Sequence, residues 1–198
     1  MEEIIKYAKE NFVPIVRPKT LELLISTIKE NKTKKILEIG TAIGYSGSQM
    51  LINSEAKLTT IEKNEKMYEI AKNNFVRLGL CERVTQINGD AKEILSELVN
   101  KNEKYDFIFL DGPKGQYLGY LPMLNELLEV NGIIFADDVL FRGLVQGNEW
   151  PKHRIRTLVL NLRKYLEEVQ KPPFTSKIID LEDGVCITTK GENKWLNY

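Results

Sequence analysis

The stretch Lys35-Ile36-Leu37-Glu38-Ile39-Gly40-Thr41-Ala42-Ile43-Gly44-Tyr45-Ser46 constrains the fold more than any other part of the chain. A short apolar run ends in a carboxylate, crosses a Gly-x-x-x-Gly turn and enters a helical pattern. That order reads as a buried parallel strand, a tight turn and a helix N-terminus. Without a Cβ, Gly40 and Gly44 let the backbone approach a ligand closely, and turn and helix amides can face a polar or anionic group. About twenty residues on, Leu58-Thr59-Thr60-Ile61-Glu62 is a second apolar run ending in a carboxylate, the usual grip on a ribose hydroxyl pair. Taken alone, the glycines are ordinary strand-to-helix turn residues; with Glu62 at this distance they point to a nucleoside-cofactor site. The spacing is not Gly-x-Gly-x-x-Gly, which argues against a nicotinamide dinucleotide.

The remaining pattern alternates helix and strand. Residues 2–12 and 20–30 read as helices, separated by a link bracketed by Pro14 and Pro18. Strands are expected over 35–39, 57–62, 84–87, 105–111 and 132–136, with helices over 46–53, 64–78, 91–100, 117–129 and 151–169. Pro151 suits the first turn of the last helix. Ser176–Leu181 and Val185–Thr189, joined by Glu182-Asp183-Gly184, read as a closing β-hairpin. This predicts an α/β fold: a mostly parallel sheet with an antiparallel C-terminal hairpin and helices on both faces. The 198 residues suit one domain, with residues 1–30 as an N-terminal helical cap and 191–198 as a loose tail.

No apolar run reaches membrane-spanning length. Met1-Glu2-Glu3 lacks the features of a signal peptide, and Cys81 and Cys186 stand apart without metal-ligand spacing, so a cytoplasmic protein with reduced thiols is expected. His153 is the single histidine, which argues against a histidine-centred triad or a histidine-rich metal site.

In open parallel sheets ligands sit beyond the carboxyl ends of the strands. Here those ends carry Glu38, Glu62, Asp90, Asp111 and the pair Asp137-Asp138. Glu62 is assigned to ribose and Asp90 to the adenine amino group or an adjacent donor. Separately, Asp111 reads as a loop-opening aspartate and Asp137-Asp138 as a solvated pair. Together, three carboxylates on adjacent strand ends repel and raise each other's pKa, a conflict a bound divalent cation resolves. All-oxygen ligands favour Mg, with Mn or Ca as alternatives, over Zn. Lys114, three residues after Asp111, neutralises the cluster or acts as a base.

These motifs, in order and across nearly the whole chain, give a specific resemblance. Leu37-Glu38-Ile39-Gly40, Gly44-Tyr45-Ser46, Ile61-Glu62, Phe109-Leu110-Asp111-Gly112-Pro113-Lys114 with Tyr117, and Ala136-Asp137-Asp138-Val139-Leu140 resemble the metal-dependent O-methyltransferases of the catechol and caffeoyl-CoA type. The resemblance implies a seven-stranded, Rossmann-like class I fold that binds S-adenosylmethionine (SAM). It implies Asp111, Asp137 and Asp138 as metal ligands, Lys114 as the catalytic lysine, and Tyr45 and Ser46 near the methionine end of SAM. The full cofactor set expected is Glu38, Gly40, Thr41, Gly44, Tyr45, Ser46, Glu62, Lys63, Asp90, Ala91 and Asp111. The family's usual pair after the fifth strand is Asp-Asn; Asp138 departs from it by adding a negative charge.

For the methyl acceptor, the informative region is Arg142-Gly143-Leu144-Val145 and Lys152-His153-Arg154-Ile155-Arg156-Thr157. From Pro151 through Leu166 there are Lys152, Arg154, Arg156, Arg163 and Lys164 and no acid, in a chain of zero formal net charge. Such a stripe fits phosphate contacts, although a solvated helix face is the commoner meaning of a charge run. More narrowly, it resembles the bacterial tRNA 5-hydroxyuridine methyltransferases. That implies tRNA as partner, with Arg17, Arg142, Lys152, His153, Arg154 and Arg156 on it, and 5-methoxyuridine at the wobble position as product. The competing expectation is a small catechol or hydroxycinnamoyl acceptor in a pocket lined by Phe141 and Trp150. A SAM-binding module without turnover is the third. The resemblance also implies a homodimer through the apolar N-terminal segment, with Phe12, Val13, Ile15 and Val16, though such a stripe equally covers the sheet or lids the site.

Overall fold

The computed structural model describes residues 1–147 and 152–192. Pro151, Trp150 and the end of the expected tail, 193–198, lie outside the described residues. Among the described residues seven strands form one sheet: β1 (Lys35–Ile39), β2 (Lys57–Glu62), β3 (Val84–Asn88), β4 (Tyr105–Leu110), β5 (Leu128–Ala136), β6 (Phe174–Ile179) and β7 (Val185–Lys190). Their spatial order is β3-β2-β1-β4-β5-β7-β6. The first five run parallel, and β7 pairs antiparallel with both β5 and β6. The chain winds outward from β1 to β3, then returns to β4 and winds the other way. The order therefore reverses between β1 and β4, where an open α/β sheet leaves a crevice.

Helices cover both faces because the central strands are apolar on both sides. Leu37, Ile39, Ile108, Leu110, Ile134 and Ala136 meet α5 (Ala91–Asn100), α6 (Tyr117–Leu127) and α7 (Arg156–Glu168). Ile36, Phe107, Phe109, Ile133 and Phe135 meet α1 (Glu2–Glu10), α2 (Pro18–Glu30), α3 (Tyr45–Ile52) and α4 (Glu65–Arg77). The N-terminal helices thus cover the sheet: Ile4, Ala8, Leu24 and Ile28 are buried in that second layer. Val16 is buried with them and Val13 and Ile15 pack on it, while Phe12 alone is almost wholly exposed. Among the described residues no helix is long and apolar enough to cross a membrane.

Two boundaries differ from the sequence expectation by more than two residues. β5 begins at Leu128, not 132, because Leu128 already pairs with Tyr105; the strand then bulges through Asn131, at φ 64°, before Ile133 resumes beside Phe107. The last helix begins at Arg156, preceded by a single 3₁₀ turn over His153–Ile155, because Ile155 sits at φ −115° and breaks the α-helical path.

Candidate active site

The carboxyl ends of β1 to β5 open into one cavity of about 730 Å³. Of the expected cofactor residues, Gly40, Glu62, Lys63, Asp90, Ala91 and Asp111 line it. Thr41, Tyr45 and Ser46 line a small adjoining slot closed by Pro14, Ile15 and Val16. Glu38 and Gly44 line neither.

Glu38 is fully buried behind the turn. Its Oε1 accepts from Ser46 Oγ at 2.5 Å and its Oε2 from Thr60 Oγ1 at 2.6 Å, and Thr60 Oγ1 lies 2.5 Å from Thr41 Oγ1. Burial lifts the Glu38 carboxyl to about 7, against the pull of the two hydroxyl donors. The sequence placed Glu38 on the cofactor; the structure makes it the internal peg that fixes the turn. Gly47 makes room for it, since a β-carbon there would lie 2.9 Å from Glu38 Oε2 and 2.8 Å from Leu58. Sequence reasoning passed over Gly47 because nothing marks a helical glycine as a neighbour of a buried acid.

The two motif glycines also make close contacts inside the protein. Gly40, at φ 103°, faces the backbone of Asp111: a β-carbon would lie 2.6 Å from the Asp111 carbonyl oxygen. Gly44, at φ 78°, starts α3 in the left-handed region and packs on Phe75 and Ala71. The close approach each glycine permits is by the protein itself. Backbone bonds extend the strand register past the tips: Gly40 N donates to Ile61 O, Asp111 N to Ile39 O, and Asp137 N to Leu110 O.

Glu62 leans from β2 over the β1 turn. Its Oε2 accepts from Ala42 N at 2.8 Å and its Oε1 from Asn64 N at 2.7 Å. Each carboxylate oxygen has two acceptor sites, so the fixed group retains one per oxygen for a diol. Asp90 caps α5 by accepting from Lys92 N at 2.9 Å, and its other oxygen pairs with Lys63 Nζ at 2.9 Å. The Lys63 ammonium and the Lys92 amide hold the Asp90 carboxyl below its usual range. Tyr120 and Gln116 complete this wall and were missed by the sequence reading, in which Tyr120 was simply a helix residue and Gln116 part of the preceding loop.

Asp111, Asp137 and Asp138 converge, with one carboxylate oxygen of each within 4.8 Å of the others. Asp138 turns back at φ 55° and donates its amide to Asp137 Oδ1 at 2.7 Å. The buried Tyr117 hydroxyl bridges the two strand ends, 2.9 Å from Leu110 O and 3.1 Å from Asp137 O. Burial together with the charges of Asp111 and Asp138 lifts Asp137 to about 7. Burial raises Asp111 as well, partly offset by Lys114. Three hard oxygen donors, two of them disfavoured as bare anions, fit a divalent cation.

Lys114 Nζ sits 2.7 Å from Asp111 Oδ1 and 3.2 Å from Asp138 Oδ2. Burial works against its charge, but the two carboxylates outweigh burial and raise its pKa. In this arrangement Lys114 is a held ammonium rather than a free base. Opposite it, Arg17 lines the cavity, 3.1 Å from Asp183 Oδ2 and 3.8 Å from Asp138 Oδ1. Arg17, expected from its place in the early loop to contact tRNA, sits beside the acidic trio.

The other basic candidates stay outside the cavity: Arg142, Lys152, His153 and Arg154 are exposed and Arg156 is half-buried. Arg163, part of the same run, turns back to donate to the carbonyls of Leu144, Val145 and Gly147 and so braces the loop after β5. α7 is fastened to the Lys114 turn, where Asn161 Nδ2 donates to Gly115 O at 2.8 Å. The exposed residues 152–154 therefore lead into a helix that rests on the Lys114 turn.

A family model described as O-methyltransferase matches residues 3–191. A caffeoyl-CoA O-methyltransferase of Populus kitakamiensis is 28% identical over 184 residues, covering 88% of this chain and 76% of that one. Among solved structures, a caffeoyl-CoA O-methyltransferase candidate from Staphylococcus aureus is 35% identical with a TM-score of 0.87, covering 96% of this chain and 91% of that one. An O-methyltransferase from Bacillus cereus in complex with S-adenosylhomocysteine is 26% identical with a TM-score of 0.84, covering 96% and 89%. Fold, cleft and comparisons agree: the chain belongs to the O-methyltransferase family and is a SAM-dependent O-methyltransferase of the caffeoyl-CoA type.

Proposed function

We propose that the acceptor presents two neighbouring oxygens to Asp111, Asp137, Asp138 and Lys114, and that it is the 5-hydroxyl of 5-hydroxyuridine, beside O4, in the wobble position of a tRNA anticodon loop. The observation that carries the acceptor choice is the exposed Lys152-His153-Arg154 segment leading into α7, which is fastened to the Lys114 turn. Basic residues there suit the phosphates flanking an unstacked base. A small catechol or hydroxycinnamoyl acceptor is the second reading, favoured by what the named relatives act on.

The chain's residues divide the work. Glu62 takes the ribose diol, with its carboxylate already oriented by Ala42 N and Asn64 N. Asp90, Ala91 and Tyr120 form the wall at the adenine end. Ser46 and Tyr45 line the slot for the methionine end. Asp111, Asp137 and Asp138 would hold a divalent cation, Mg in the first instance, which when bound supplies Lewis acidity to the acceptor hydroxyl. The acceptor hydroxyl gives its proton to solvent water, and Lys114 Nζ, held as an ammonium beside the same site, stabilises the oxyanion that forms. SAM supplies an electrophilic sulfonium methyl. The acceptor oxygen bonds to that carbon as the carbon–sulfur bond breaks, and S-adenosylhomocysteine leaves. Holding donor and acceptor in line supplies much of the rate.

The test is transfer of labelled methyl from SAM, with Mg present, to tRNA lacking the wobble-uridine ether methyl and, in parallel, to a panel of catechols. Label in tRNA that disappears with EDTA and in Asp111→Ala supports the RNA reading and the cation together. Strong label in catechols and none in tRNA sinks the RNA reading and leaves the basic segment a solvated surface.

A further inference from the structure

The turn between β6 and β7 reaches the acidic trio from the far edge of the sheet. Asp183 uses both side-chain oxygens there: Oδ2 accepts from Arg17 Nη2 at 3.1 Å and Oδ1 from the Arg142 amide at 2.7 Å. Its carbonyl accepts from Leu140 N and that of Gly184 from Val139 N, both at 2.9 Å. Beside it, Glu182 Oε2 accepts from Thr20 N at 2.9 Å and Thr20 Oγ1 at 2.7 Å, closing the α2 N-terminus for which Arg17 provides no side-chain cap. The hairpin tip therefore grips two segments distant in sequence, the start of α2 and residues 139–142.

The first gripped segment carries Arg17 and the second directly follows Asp138, two site residues that would not hold their places unaided. Asp138, Phe141 and Arg142 all lie in the left-handed region, at φ 55°, 41° and 57°. Non-glycine residues stay there only where the surroundings over-determine them. Arg17 is a long side chain whose Nη2 also lies 3.8 Å from Asp138 Oδ1. A guanidinium carries five N–H donors in a fixed fork, so a carboxylate that fixes one edge aims the others.

We propose that Asp183 is a positioning residue for methyl transfer: Oδ2 aims the Arg17 guanidinium past Asp138 at the acceptor's oxygens, and Oδ1 locks the left-handed run that presents Asp138. Arg17 then favours binding of acceptors whose oxygens already carry negative charge. The Arg17 half rests on the reading that the acceptor enters beside the acidic trio; the hold on residues 138–142 does not.

The experiment compares Asp183→Asn, Asp183→Ala, Arg17→Gln and the double variant Arg17→Gln/Asp183→Asn, with SAM, Mg and whichever of tRNA or catechol takes label. Asn keeps a side-chain oxygen for the Arg142 amide but loses the charge facing Arg17; Ala loses both. Arg17→Gln and Asp183→Asn should each raise acceptor KM by about tenfold with kcat within about twofold. The double variant should be no worse than either single, because both act on one pair. Asp183→Ala should also lower kcat by about tenfold and speed hydrogen exchange at the Arg142 amide by a similar factor. Affinity for S-adenosylhomocysteine should stay unchanged throughout. Additive single effects, cofactor affinity falling in step with acceptor KM, or kcat equal in the Asn and Ala variants would overturn the proposal. If wild type labels neither acceptor, the acceptor reading has failed, and exchange at Arg142 still decides the hold: faster in Ala than in Asn supports it, equal rates overturn it.

Discussion

Gly40 and Asp111 meet backbone to backbone: a β-carbon on Gly40 would lie 2.6 Å from the Asp111 carbonyl oxygen. The glycine that follows β1 thereby sets where the first member of the acidic trio leaves its strand, and the two sides of the cavity share one hinge of backbone. Gly40→Ala adds the overlap to a φ of 103° that an L side chain resists. A loss of about 2–4 kcal/mol in stability is expected, with S-adenosylhomocysteine affinity and cation affinity falling together. Urea unfolding and calorimetry on the variant check this; normal cation binding alongside lost cofactor binding would contradict the shared hinge.

The trio's protonation gives the proposed cation site a pH signature. Asp137 sits at about 7 where an aspartate ordinarily titrates near 3.8. A folded-state pKa raised in this way leaves its stability contribution intact below the ordinary value and removes it as pH rises through 7. A cation that pairs with the ionised carboxylate offsets that loss. Added Mg should therefore raise the unfolding temperature more at about pH 8 than at about pH 6, with apparent affinity climbing between them and then levelling. In Asp137→Asn the climb should flatten, and Asp111→Ala should lower methyl transfer by at least about a hundredfold. A Mg effect equal at both pH values would count against Asp137 as a ligand.

What the sequence made legible follows from what periodicity encodes. Apart from Glu38, both faces of Ile36–Ile39 and Phe107–Leu110 are apolar, so those strands read directly as the centre of a parallel sheet, and the acids just beyond the strand ends fell at one edge. Asp111, Asp137, Asp138 and Lys114 could be grouped because all four follow strand ends. Glu38 could not be separated from Glu62 by spacing, since the difference is a burial set by Ser46, Thr60 and Gly47. Arg17 and Asp183 lie 166 positions apart and carry no local pattern, so only the folded hairpin reveals their pairing. The basic run after residue 151 hid a division that needs coordinates: Arg163 serves loop carbonyls whereas Lys152 and Arg154 face solvent.

Glu38 offers a test of the internal peg. Its carboxyl sits at about 7 against an ordinary 4.5, raised mainly by burial. The stability it contributes is complete below about pH 4.5 and lost as pH rises through 7, because ionising it in place is unfavourable. Glu38→Gln removes that titration while keeping an oxygen and similar bulk. Relative to the variant, wild type should lose about 2–3 kcal/mol between about pH 5 and pH 8. The quantity to read is the pH dependence of the stability difference in urea unfolding, which cancels contributions shared by both proteins. A difference constant with pH would mean that Glu38 stays charged in the fold, sustained by its hydroxyl donors.

The basic segment before α7 separates the two acceptor readings without touching the site. Lys152 and Arg154 are exposed and line no part of the cavity. On the tRNA reading, Lys152→Ala/Arg154→Ala should raise KM for tRNA by about tenfold at moderate salt and lower the slope of log affinity against log salt by about one for each phosphate no longer neutralised. Values of kcat at saturating tRNA should hold, because the chemistry lies behind Lys114 and the acidic trio. Transfer to a catechol, where it occurs, should be unaffected, since a small acceptor does not reach the segment. Steady-state kinetics across a salt series measures all three quantities. Equal loss on both acceptors would point to a role for the segment in seating α7 on the Lys114 turn, through the Asn161 bond to Gly115, rather than in holding a phosphate backbone.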